Sequence, residues 1–171
     1  MLAIKQMRAD HISKTILGKQ YQEVISARNV VFDYIDKAIK SRWKEELSLF
    51  NNKSICEMLT HVANTYKYWI TDFLLREQVV YWEGLQFTEL DDIYKIYEEV
   101  NHDVQHFLDV FETDYKTPLT RNTAPDVKIT ASPLKVFTHL ITHEFHHKGQ
   151  IMIMSRLLNG VPPDTDIIRY P

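Results

Sequence analysis

Apolar residues recur at helical spacing in four long stretches of the chain. The first runs from about Lys19 to Lys40, through Tyr21, Val24, Ile25, Val31, Phe32, Ile35 and Ile39. Gly18 interrupts the pattern and leaves its start open. The second opens at Ser54, which with Glu57 makes a capping-box sequence. Its stripe is Ile55, Met58, Leu59, Val62, Tyr66, Trp69, Ile70 and Phe73. The third follows Thr88, a good cap, and carries Leu90, Ile93, Tyr94, Tyr97, Val100, Val104, Phe107, Leu108 and Phe111. The fourth begins at Ser132-Pro133, a cap with proline at the first helical position, and ends at Asn159-Gly160 before Pro162-Pro163. Between the third and fourth, Thr117 to Thr130 holds Pro118, Asn122 and Pro125, and Val127 and Ile129 alternate around Lys128. That stretch reads as an irregular link or short hairpin. No repeat or domain boundary is visible, and four amphipathic helices need a shared core. The pattern predicts one all-α domain over residues 1–171, a four-helix bundle.

Composition adds exclusions. The chain has 171 residues, 44% hydrophobic and 25% charged, with only 4 glycines and 6 prolines, too few turn formers for an all-β fold. The net charge of -3 speaks against nucleic acid or an anionic membrane surface as partner, since both select clustered Lys and Arg. A lone cysteine, Cys56, forbids an intramolecular disulfide and fits a reducing compartment. The stretch Met1 to Arg8 has no apolar run of signal-peptide length, and no apolar run is long enough to cross a bilayer. The expected location is cytoplasmic.

The informative chemistry is in the histidines. On the fourth helix His147 lies about 40° from His143 on a helical wheel, and His139 about 40° the other way. Val136, Leu140, Gln150, Met154, Leu157 and Leu158 share that half, so these rings are expected to point inward. Two histidines one turn apart reach a single metal ion. Spacing alone makes His139 with His143 as good a pair as His143 with His147. His61, the sole histidine of the second helix, sits at the edge of its apolar stripe, and sites inside bundles are built from facing helices. His102 and His106 fall opposite the stripe of the third helix, where solvated rings bind metal only adventitiously. His11 lies in a poorly patterned stretch and takes no role.

Two familiar metal motifs fail on context. His143-Glu144-Phe145-His146-His147 matches the zinc protease string H-E-x-x-H. No histidine or glutamate follows it as a further ligand, only Asp164 and Asp166. Glu99-Val100-Asn101-His102 and Glu144-Phe145-His146-His147 both read E-x-x-H, as in di-iron bundles, yet Glu99 falls on the solvent side of its helix.

Ser54-Ile55, Thr60-His61, the run from His139 to Ile151 and the tail from Leu158 to Asp166 resemble the DinB family, the DinB/YfiT-like four-helix metalloproteins. The likeness is strongest in H-x-x-x-H-x-G-Q, from His143 to Gln150. It implies that His61, His143 and His147 hold one divalent metal, and it selects His147 over His146. Gln150, Glu144 and His139 are candidates to support the ligands. Gly149, which costs about 1 kcal/mol in a helix relative to alanine, is expected to mark close packing.

Three imidazoles leave an open coordination position and do not distinguish Zn, Ni or Fe. Some members of the family are S-transferases or isomerases that use low-molecular-weight thiols such as bacillithiol. The resemblance therefore implies metal-assisted thiol transfer to an electrophilic small molecule, and a homodimer. The alternatives are a non-catalytic metal-binding stress or interaction protein, and a metal-dependent hydrolase. Glu144 points about 100° from His143, a doubtful base better suited to pairing with a neighbour. Cys56 reads as a small buried side chain. Tyr66, Tyr68 and Trp69 are core or pocket residues, and Arg28 either meets a substrate carboxylate or snorkels to the surface.

Overall fold

The computed structural model describes residues 15–169; His11 lies outside them. The fold is mostly helical, with four long helices and one small sheet. The helices are α1 (Ile16–Tyr34), α2 (Ile55–Tyr66), α3 (Leu90–Val110) and α4 (Pro133–Leu157). The strands β1 (Leu119–Ala124) and β2 (Val127–Ala131) form an antiparallel hairpin in the link between α3 and α4. Its turn places Asp126 after Pro125 with φ 62, and Thr120 and Thr130 pair across the strands at 2.8 Å. The chain is therefore not purely α. No helix among the described residues is long and apolar enough to cross a membrane.

The chain forms two compact units. One consists of the described parts of Met1–Ile55 and Lys148–Pro171. Here α1 starts earlier than its apolar pattern suggests: the Thr15 side chain accepts from the Gly18 amide at 3.1 Å and opens the helix. Tyr21, Val24, Ile25, Val31 and Phe32 are buried, as their spacing predicts. Arg28 is buried too and donates to the Tyr21 hydroxyl at 3.2 Å, so it does not snorkel. In the same unit α4 ends in a Schellman motif. The Gly160 amide bonds to the Ser155 carbonyl at 2.8 Å and the Asn159 amide to Arg156 at 2.9 Å. Asn159, not Gly160, takes the left-handed conformation, with φ 59. Gly160 is needed for space: a Cβ there would collide with the Tyr34 hydroxyl, the Ile39 side chain and the Ser155 carbonyl.

The other unit is Cys56–His147. Its core comes from α2 (Leu59, Val62, Tyr66), α3 (Ile93, Tyr97, Val100, Val104, Phe107) and α4 (Val136, Phe137, Leu140). The Tyr97 hydroxyl donates to the Leu59 carbonyl at 3.0 Å, tying α3 to α2, and Phe107 stacks on Phe137 of α4. Helix α3 is capped one residue later than the sequence pattern suggests, by Glu89 with Asp92 reciprocating. Beyond Tyr66, α2 widens into a π-helical segment, Lys67–Leu74, whose winding shows in the Leu75 amide bonding to Ile70. Asn64 holds the following segment back against α2 through two hydrogen bonds with the backbone of Trp82. Cys56 is buried, with its thiol against the Gly84 carbonyl at 3.1 Å.

Candidate metal centre

Helix α2 brings His61, and α4 brings His143 and His147, to one place. Their nearest ring nitrogens all lie within 4.8 Å of one another. The ring centroids are 5.2 Å apart for His61 and His143, 4.8 Å for His61 and His147, and 4.3 Å for His143 and His147. The two Nε2 atoms of His143 and His147 are 3.1 Å apart. That is close to the edge of about 3.3 Å expected for a tetrahedron with Zn–N bonds of about 2.05 Å. The donor set therefore fits a divalent cation.

The rings do not point into the core, as the helical wheel suggests. His61 is exposed, and His143 and His147 are half-buried. The buried line of α4 runs instead through Leu140 and Glu144, with the two histidines on its flank. Even so, their partial burial matters electrostatically. Burial, reinforced by repulsion from His147, His61, His139 and His146, pushes His143 down to about 4. Burial also lowers His61 below the ordinary histidine value. Neutral imidazoles with free lone pairs are what a metal ion requires.

Glu144 is the buried acid of this neighbourhood, and its Oε2 accepts a hydrogen bond from the Tyr66 hydroxyl at 2.6 Å. This bond joins α2 to α4 beside the ligand positions. His139 is exposed; its ring lies 5.5 Å from His143 and packs edge-on against Trp69 at 5.4 Å. It stands beside the cluster, and His147 is the ring that packs against both His61 and His143. Gln150 is half-buried and lies in the other unit. Gly149 does not mark close packing, because a Cβ there would meet nothing within 4 Å.

The paired E-x-x-H strings do not meet at one site. Glu99 is exposed and lies 3.6 Å from the Lys67 ammonium, and His102 is exposed. His106 is exposed and sits 3.5 Å from Glu77. Sequence reasoning missed the Tyr66–Glu144 pair. Both residues fall on helical faces that a wheel can draw, but no wheel relates one helix to another.

A family model for the DinB family matches residues 11–171, nearly the whole chain. The chain belongs to the DinB family. No curated protein matches it. Membership in the DinB family and the three converging histidines point the same way, to a site able to bind a metal ion.

Proposed function

We propose that this DinB protein binds one divalent metal ion through His61, His143 and His147 and uses it for thiol transfer. The thiol would be a small cofactor of the bacillithiol type, and its acceptor an electrophilic small molecule. The supporting observation is the convergence of three partly exposed imidazoles, a ligand set that leaves a fourth position to water or substrate. When bound, such an ion supplies the positive charge that turns a coordinated thiol into a thiolate at neutral pH.

The chain's own residues do the remaining work. Burial favours the neutral forms of His143 and His61, which are the forms able to donate. The Tyr66 hydroxyl, held by Glu144, fixes α2 against α4 and so fixes His61 against the pair on α4. Trp69 and His139 form a ring wall beside His143, suited to the apolar part of a substrate. The thiol itself is supported by the family resemblance. On the same footing we read residues 1–171 as one domain of the family's four-helix-bundle type, cytoplasmic and homodimeric in use.

The test is metal content by mass spectrometry on untagged protein prepared without chelators, beside a His143→Ala/His147→Ala variant. About one equivalent in the wild type, lost in the variant, supports the site. Thiol-dependent consumption of an electrophile by the metal-loaded protein then supports the transferase. Turnover without thiol would replace it with a hydrolase, and metal without turnover with a non-catalytic metal-binding protein. Equal metal in both proteins would overturn the site.

A further inference from the structure

A second feature of the Cys56–His147 unit is unrelated to metal ligation. The end of α2's π segment and the β1–β2 hairpin enclose a groove of about 620 Å³, within the range of small-molecule sites. Tyr68 gives it an aromatic wall, with the buried Phe73 behind the lining, and Arg76, Arg121 and Lys128 give it three cations.

Arg121 is fixed in place. Its Nε donates to the Phe73 carbonyl at 3.2 Å and its Nη1 to the Thr120 carbonyl at 3.0 Å. The first bond caps a carbonyl of the π segment, and Nη2 has no protein partner among the described residues. The side chains of Arg76 and Lys128 likewise have no ion-pair or hydrogen-bond partner among them. Arg76 also carries a backbone cost. It occupies the left-handed region, with φ 62, where glycine or asparagine fits more easily.

The groove also holds two acids, Asp72 and Glu77, already engaged with Tyr81 and His106. They leave a single net positive charge among the lining side chains, which one anionic group is enough to balance. The aromatic wall continues toward the triad. Trp69 packs edge-on against Tyr68 at 5.0 Å, Phe73 at 5.1 Å and His139 at 5.4 Å.

We infer that this groove binds a small monocarboxylate with a planar or apolar body. The carboxylate meets the Arg76 and Lys128 side chains and the free Nη2 of Arg121, and the body lies against Tyr68. The inference holds whether or not the triad carries metal.

The test is calorimetric titration with benzoate, and with benzamide as its uncharged counterpart. It uses the wild type, Arg76→Gly/Lys128→Ala, and His143→Ala/His147→Ala. Arg121 is left in place because it caps the helix, and Arg76→Gly relieves backbone strain, so the groove variant is expected to stay folded; a thermal melt checks this. Wild type and the histidine variant should bind benzoate alike. The groove variant should bind it at least tenfold more weakly, and benzamide should bind at least tenfold more weakly than benzoate. Saturable binding absent from the wild type, equal binding of benzamide, or no weakening in the groove variant would each overturn the inference. So would loss of binding in the histidine variant, which would send the carboxylate to the triad instead.

Discussion

At the scale of single residues, His143 contributes to the pH behaviour of the metal-free protein. Folding holds it at about 4, whereas an unfolded chain holds histidine near 6.5. Between those values the unfolded chain binds more protons, so stability is full above about 6.5 and falls as pH drops toward 4. Melting temperatures of chelator-treated protein should show this fall, and His143→Gln should flatten part of it. Two glycines behave oppositely. Gly149→Ala meets no neighbour and should stabilise by up to about 1 kcal/mol, with metal content unchanged. Gly160→Ala drives a Cβ into Tyr34 and a backbone carbonyl, and should cost about 1–3 kcal/mol in denaturant unfolding. Unchanged stability in that variant would show that the helix end relaxes freely.

At the scale of elements, the Tyr66–Glu144 bond is the polar tie between α2 and α4 at the candidate site. Tyr66→Phe removes a hydrogen bond to a carboxylate, worth about 1.5–3 kcal/mol. It should also weaken metal binding, because His61 then loses its fixed position relative to α4. A competition titration with a chromophoric chelator reads the affinity. If stability falls and affinity does not, the bond serves the fold alone.

At the scale of the molecule, what was legible in the sequence was what local chemistry decides. Ser132-Pro133 and Asn159-Gly160 mark the ends of α4 because caps and left-handed residues act within a few positions. The start of α1 was hidden because Thr15 caps it through Gly18, a residue that looks like a breaker. The π segment was invisible, since widening a helix is decided by what packs against it, and it explains why Trp69 is half-buried rather than in the stripe. His143 and His147 were legible as a pair, but their half-exposure was not, because Glu144 takes the buried position its charge argues against. Removal of metal should register over the whole Cys56–His147 unit. An ion at about a hundred times its Kd adds about 2.7 kcal/mol, so a chelator should lower the melting temperature of the wild type and leave His143→Ala/His147→Ala unmoved.

The wide turns after Tyr66 make chain length a variable in their own right. A stretch bonded from each residue to the fifth beyond it spends more residues per turn than an α-helix does. With one residue removed between Lys67 and Leu74, the backbone could still bond throughout, wound as ordinary helix. The tighter turns would absorb most of the missing residue, so the side chains beyond the cut would keep close to their present direction. Phe73 and Leu74 would stay in the core they now fill, and the Phe73 carbonyl would stay with Arg121. The same deletion inside α3, which has no wide turns to give up, would turn every side chain beyond it by about 100°.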